Sequence, residues 1–488
     1  MNNLIPHFIS EQYKKNKHKG LFKAYTMFVD ISGFTQLTET LMKHEKDGAE
    51  VLTEALNNIF NPVVKNIFDN GGMISTFAGD AFTAIFRGRN KRVLESAIYV
   101  NKFFKDNKII DTKYGKFEMG VKVGLSYGKV DWGILGKHGK HTYYFKGEAI
   151  DGCAESEHRA NKSDIVLDNK IIEKLKIDNG KLVVKEDGYF KFKTKAVKPK
   201  PVKARSEQFK LTTKDLSPFI LDAVIGFKGK AEFREVVSVF ISFDKPRSTT
   251  ALNEFVTQLI EGSYNYGGYF NKVDFGDKGG VALLLFGAPV SYENNIERAL
   301  NFVLHLNNSI NKLKFRAGIT FGTVYSGIMG GKERYEYTAI GDIVNLSARF
   351  MMKAKWNKFW VSDHISENQD RTHRFNKLGK FKFRGKSGKI TAYELVQKKE
   401  KGEAALFDGK IIGREVELKQ LKKYTKPIFR NSFAGVTYIY GEAGIGKSRL
   451  VYELKQKLKD KVNWFYLPCE NILKKSFNPV IYFLKNYF

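Results

Sequence analysis

The sequence predicts an α+β architecture: two copies of a sheet packed by helices on one face, followed by the opening of a P-loop α/β unit. Three observations carry this prediction. The chain repeats itself, since VKVGLSYG at 121–128 returns as FRAGITFG at 315–322 and YFKGEAID at 144–151 returns as TAIGDIVN at 338–345. Gly124 and Gly318, like Gly147 and Gly341, stand the same 194 positions apart, a register that chance would not keep over two motifs. Each copy reads in the order β-α-β-β-α-β. Near the end, GEAGIGKS at 441–448 completes the pattern G-x-x-x-x-G-K-[ST].

The elements follow in order. Residues 1–19 form an N-terminal segment with a basic run, Lys14, Lys15, Lys17 and Lys19. The first repeat is expected over 20–205 and opens on the β-type run Tyr25 to Val29. A helix is expected from Thr35 to Asn70, where Leu37, Leu41, Val51, Leu52, Leu56, Ile59 and Phe60 recur at helical spacing. Met73 to Phe86 reads as a hairpin around a Gly-Asp turn. Residues 206–231 read as a linker. The second repeat, 232–397, opens on the run Val236 to Ile241, and both repeats end in basic β-like stretches, FKFK at 190–193 and FKFR at 381–384. A mixed-charge linker at 398–410 precedes the third unit, 411–488.

Composition narrows the class. Apolar residues at 42% and aromatics at 14% are enough for real cores, which excludes a disordered chain. Two cysteines, Cys153 and Cys469, exclude a disulfide framework and a four-cysteine zinc site, and point to a reducing, cytoplasmic setting. No run of 18 apolar residues exists, so a membrane-spanning helix is not expected. The formal charge of +30 raises a nucleic-acid or anionic-membrane partner. Its lysines are spread along the chain, however, as solvated faces are, and no nucleic-acid-binding motif accompanies them.

The chemistry lies in four short motifs. FVDISGFT at 28–35 puts Asp30 where a strand ends and a Ser/Gly/Thr loop opens a helix. The backbone N–H groups of such a loop, Ile31, Ser32, Gly33, Phe34 and Thr35, can cradle phosphate oxygens. TFAGDAF at 76–82 puts Asp80 at a hairpin tip. Each acid alone could be a helix cap or a turn residue. On neighbouring strands they would meet at one sheet edge, where two carboxylates repel unless hard cations such as Mg²⁺ or Mn²⁺ sit between them. In the second repeat, YTAIGDIVNLSAR at 337–349 sets Asn345 and Arg349 one helical turn apart, facing one way. An amide there can orient a ribose, and a guanidinium can hold charge developing on a phosphoryl group.

These residues resemble the class III nucleotidyl cyclases, and the tandem arrangement followed by an NTPase resembles the soluble adenylyl cyclase group. The resemblance covers most of 20–397. It implies two ferredoxin-like domains paired within the chain as a pseudo-heterodimer, with ATP as substrate and two Mg²⁺ or Mn²⁺ ions on Asp30 and Asp80. It also implies ribose positioning by Asn345, transition-state stabilisation by Arg349, adenine reading by Lys272 and Thr338, and a phosphate contact from Lys122. A protonated lysine donates to adenine N1, whereas guanine presents an N–H there. The second repeat has no acid matching Asp30, and the first has Asp151 and Glu155 where Asn345 and Arg349 stand. One complete composite site is therefore expected, and its pseudo-symmetric mate is expected to be dead. Bicarbonate-responsive relatives carry a lysine and an arginine where this chain has Thr76 and Ala154. Weak or absent bicarbonate stimulation is therefore expected, with Lys146 or Arg159 as the substitutes within the chain.

In the third unit, Gly441, Gly446, Lys447 and Ser448 would wrap and ligate nucleotide phosphates, after a strand-like run Val436 to Tyr440. Ile412 to Glu415 resembles the entry to AAA-like signalling NTPases. Roughly forty residues follow Ser448, with no apolar strand ending in a Walker-B acid, so an incomplete NTPase in a fragment of a longer protein is expected. The expected function is an adenylyl cyclase. The alternatives are a catalytically weak nucleotide-sensing scaffold and a basic nucleic-acid-binding NTPase.

Overall fold

The computed structural model describes residues 3–88, 92–186, 188–194, 210–227, 231–276, 279–292, 294–310, 313–383, 388–399, 411–441, 445–458, 461–465, 467, 480 and 484. They form two compact units, Met1–Asp370 with Phe375–Gln397, and Arg371–Arg374 with Lys398–Phe488.

Both repeats lie in the first unit, and each builds one sheet with the same path. In the first, Gly72–Ala78 pairs with Ala81–Arg87, which pairs with Lys19–Ser32, then Gly120–Lys137, then Ile165–Asp168. In the second the same places are taken by Tyr269–Gly276, Gly279–Phe286, Glu232–Phe243, Phe315–Gly331 and Phe359–Ser362. The first four strands of each are antiparallel and the fifth is parallel to the fourth, which is the ferredoxin-like order extended by one crossover.

The two glycines that betrayed the repeat act on packing. A Cβ on Gly124 would stand 2.1 Å from the Cys153 carbonyl oxygen, and one on Gly318 would stand 2.0 Å from that of Ser347. Only a residue without a side chain lets the helices Glu148–His158 and Asp342–Lys353 lie this close to their central strands.

Two expectations need correction. The helix expected over 35–70 is two helices, Phe34–Met42 and Glu45–Asp69. The chain turns between them with Glu45 at φ 44°, His44 stacks on Tyr114 at 3.7 Å, and Asp47 takes the Lys113 ammonium at 2.6 Å and the Tyr114 hydroxyl. Apolar periodicity runs through the break because both helices cover the same sheet. The 206–231 segment is more than a linker: it carries the short helices Thr213–Leu216 and Asp222–Ile225 and buries Leu211, Leu216 and Val224. The N-terminal helix His7–Lys14 also packs, with Leu4 and Ile5 in one cluster and Phe8 and Ile9 in another. Residues 400–410 of the second expected linker lie outside the described residues.

Gly318→Ala should destabilise the first unit by about 3 kcal/mol, because backbone stands where the new methyl must go. Thermal melting against the native chain checks this, and an unchanged midpoint would contradict it.

Candidate active site at the junction of the repeats

The first wall comes from three elements. Asp30 lies opposite Ala81 in the ladder, and the Ile31 amide donates to the Asp80 carbonyl oxygen at 3.2 Å, so both acids reach one sheet edge. Burial, and then the charge of Asp30, push the Asp80 carboxyl up to about 6. Gly33 turns the chain at φ 95° into the helix Phe34–Met42. Of the loop residues expected to hold phosphate, Phe34 and Thr35 line the cavity, together with Thr38 and Glu39. Ile31 and Phe34 bury their side chains in the core, the Ser32 hydroxyl is buried without a hydrogen-bond partner among the described residues, and Ile31, Ser32 and Gly33 do not line the cavity. Lys122, opposite Asp30 across the sheet, lies 3.6 Å from its carboxylate and 3.2 Å from that of Glu157.

The second wall belongs to the second repeat. Lys272 sits beside a bulge in Tyr269–Gly276 and donates to the carbonyl of Phe77 in the first repeat and to Glu336 at 3.1 Å. Arg334 takes the other Glu336 oxygen at 2.6 Å and reaches the Tyr143 hydroxyl at 2.7 Å. Burial alone would raise the Glu336 carboxyl, but Lys272 and Arg334 outweigh it and hold it below the usual range. Asp274 is pushed up to about 6 by burial, with Lys272 opposing. Thr338 is buried at the cavity, and Asn345 lines it from the first turn of Asp342–Lys353. Arg349 stands one turn further on and does not line the cavity; its Nη1 is buried without a partner among the described residues.

One cavity of about 200 Å³ joins these walls, lined by Thr35 and Asp80 from one repeat and Lys272, Thr338 and Asn345 from the other. The two acids fit a divalent cation, since the Asp80 carboxyl is held up by burial and by Asp30, a cost that a cation would relieve. The pseudo-symmetric place differs. There Tyr144 stands where the second repeat has Thr338, packs edge-on against Phe275 at 5.0 Å, and has Lys146 over both rings at 5.2 and 5.1 Å. The cavity left on that side, bordered by Leu4, Thr76, Tyr143 and Phe219, is about 50 Å³. Glu155 is held by Arg159 at 3.1 Å and by the Tyr189 hydroxyl at 3.2 Å, and Arg159 also bonds Glu186 at 2.8 Å.

Sequence reasoning missed Glu336, Asp274 and Glu157. The signal for the first two was an acid two residues from a cation on the same strand, Asp274 from Lys272 and Glu336 from Arg334, a spacing that puts each pair on one face.

In the second unit, Lys447 begins the helix Lys447–Leu458 and donates to the Gly441 carbonyl at 2.9 Å, with Ser448 in the same turn and Gly446 at φ 95°. Residues 442–444 of the motif lie outside the described residues. The run Val436 to Tyr440, expected as a strand, has no ladder partner among the described residues, and its Val436, Tyr438 and Tyr440 are exposed. A lone extended segment has nothing to pair its backbone groups with.

A carboxyl raised in the folded chain above its ordinary value of 3.8 lends stability that is full below about 4 and is lost as pH rises through about 6. In metal-free buffer at pH 7.5, Asp80→Asn should therefore melt higher than the native chain, by up to about 3 kcal/mol at 1.36 kcal/mol per unit. The gain should shrink as pH falls through 6 towards 4; a gain independent of pH would contradict the assignment.

Comparison with known proteins places this geometry. A family described as "Adenylate and Guanylate cyclase catalytic domain" matches residues 19–212 and 284–397, and one described as "AAA ATPase domain" matches 410–484. "Adenylate cyclase type 10" of Oryctolagus cuniculus is 25% identical over 509 residues, 89% of this chain and 31% of that protein. The Homo sapiens protein of the same name is 25% identical over 515 residues, 90% of this chain and 31% of its own length. The chain thus spans about a third of these relatives. Among solved structures, a "Class III adenylyl cyclase-like ATP-binding protein from Pseudomonas aeruginosa" superposes with a TM-score of 0.51 at 11% identity, over 72% of this chain and 85% of that one, a likeness of fold. No helix among the described residues is long and apolar enough to cross a membrane. Because that family matches more than half of its residues, the chain belongs to the adenylate and guanylate cyclase catalytic domain family.

Proposed function

We propose that the chain is an adenylyl cyclase that forms 3′,5′-cyclic AMP and pyrophosphate from ATP at one composite site between its repeats. The observation that carries this reading is the single cavity bordered by Asp80 on one side and by Lys272, Thr338 and Asn345 on the other. Neither repeat alone has both sets.

Asp30 and Asp80 would hold two Mg²⁺ or Mn²⁺ ions, which when bound make the ribose 3′-hydroxyl a better nucleophile and offset charge on the α-phosphate. Lys272, fixed by Glu336 and the Phe77 carbonyl, offers a donor to adenine N1, and Thr338, which lines the same cavity, offers its hydroxyl to the base. Asn345 orients the ribose. The 3′-oxygen passes its proton to solvent water and attacks the α-phosphorus, the bond from that phosphorus to the oxygen bridging it to the β-phosphate breaks, and pyrophosphate leaves with the bridging oxygen. The Arg349 Nη1 has no partner to give up among the described residues, which suits it to charge appearing on the α-phosphate. Lys122, beside Asp30, is in reach of the departing phosphates once Asp30 is otherwise engaged. The P-loop of Gly441, Gly446, Lys447 and Ser448 binds a second nucleotide.

A cyclic-nucleotide assay of the purified chain with ATP and GTP, under Mg²⁺ and Mn²⁺, tests the reading. Asp30→Ala and Asp80→Ala should each lower turnover by about 100-fold or more, and Lys272→Glu should erode the preference for ATP. Turnover that survives both alanine substitutions would remove the two-metal role.

Bicarbonate at fixed pH should leave the rate within about twofold, because Thr76 at the small second cavity is neutral, the Lys272 that also borders it is held by Glu336, and Arg159 is already engaged by two acids. A several-fold rise would show an anion site there.

A further inference from the structure

Lys122 faces two acids at once, and one of them has no part in the reaction described above. Its Nζ is nearer to Glu157, at 3.2 Å, than to Asp30, at 3.6 Å, although Asp30 is its direct cross-strand neighbour. Glu157 is 9% exposed and lies near the end of the helix Glu148–His158. Gly124 lets the Glu157 backbone lie against the central strand, so the carboxylate cannot easily retreat. A carboxylate buried beside Asp30 and Asp80 adds repulsion there, and fold stability alone gives no reason to keep it.

The second repeat supplies the comparison. Position 316, the counterpart of 122, is Arg316, which lies opposite Ser242 as Lys122 lies opposite Asp30. The helix position matching Glu157 is Met351. Arg316 turns away to the carbonyls of Met352 and Ala354, both at 3.0 Å. Where the strand position carries no acid, the matching helix position carries none either.

We infer that Glu157 is a positioning residue that holds the Lys122 ammonium off Asp30, keeping that carboxylate open to a divalent cation while the ammonium waits beside the site. The role of Asp30 in this inference rests on the cyclase reading. Without Glu157, Lys122 closes on Asp30 as its remaining partner, and an entering cation must displace it.

Mn²⁺ titration of the full chain without nucleotide, read by electron paramagnetic resonance, tests this apart from turnover. Glu157→Gln and Glu157→Met should each weaken Mn²⁺ binding about fivefold, the scale of one partly exposed ion pair. In a Lys122→Met background the same substitutions should cost about twofold or less, the residual effect of a distant charge. In the cyclase assay, Glu157→Gln should raise the Mn²⁺ concentration for half-maximal rate and leave kcat at saturating Mn²⁺ unchanged. Unaltered Mn²⁺ affinity, or an equal loss in both backgrounds, would overturn the inference, since Glu157 would then be inert or merely a charge. A chain that makes no cyclic nucleotide but shows the predicted Mn²⁺ pattern would refute the cyclase reading and leave the positioning role standing.

Discussion

At the base of the cleft one side chain bonds across the repeats. The Lys272 ammonium, from the second repeat, donates to the carbonyl of Phe77, three residues before Asp80 in the first. The second-repeat wall of the cavity and the acid-bearing hairpin are thereby fixed to each other through one group. Because that group is mostly buried, it needs an anion, and Glu336 provides it at 3.1 Å. Glu336 in turn would be intolerable without Arg334, which also reaches Tyr143 of the first repeat. Removing any one member of such a buried ionic set leaves an uncompensated charge costing about 3–5 kcal/mol. The set therefore specifies how the halves meet more than it stabilises them.

Apolar packing between the halves agrees with that registration. Tyr325, Met329 and Ile340 of the second repeat enter the same core cluster as Phe60, Val64 and Phe77 of the first. The Tyr325 hydroxyl meets the Thr53 hydroxyl of the long helix at 3.0 Å. Twofold pseudo-symmetry would give two equivalent clefts, yet side-chain identity at a few positions breaks the equivalence. Thr338 leaves room where Tyr144 fills it, and Lys272 offers charge where Thr76 has none. Between repeats of one fold, function is thus decided at single positions and by their volume and charge.

Much of this could be read in the sequence, because the informative residues are constrained by local geometry. Gly124 and Gly318 mark strand–helix contact at any sequence distance, and Asp30, Asp80 and Asn345 sit in short motifs whose spacing fixes their direction. What escaped was determined by contacts between distant segments. The break at Lys43 and His44 depends on Tyr114, some seventy residues on, and periodicity cannot register it. The burial of Leu211, Leu216 and Val224 escaped because a polar, proline-bearing stretch looks like a tether until its apolar minority finds a surface. Asp274 and Glu336 escaped for a related reason. An acid in a strand reads as an outward-facing residue unless one knows that Lys272 and Arg334 come to meet it.

The charge on each residue near the cleft also explains why lysine abundance was a poor guide to function here. A chain with 82 basic and 52 acidic residues ought to fill any anion-binding groove by chance with extra cations. Instead three basic residues around the site are tied down, Lys272 by Glu336, Lys122 by Glu157 and Asp30, and Arg334 by Glu336 and Tyr143, while the Arg349 Nη1 is buried without a partner among the described residues. A tied cation loses little freedom when a phosphate arrives, whereas a free lysine gives up about 2 kcal/mol of side-chain entropy to be held. On the proposed reading, the acids that hold these cations in place contribute more to the choice of a polyphosphate pose than the number of positive charges on the chain does.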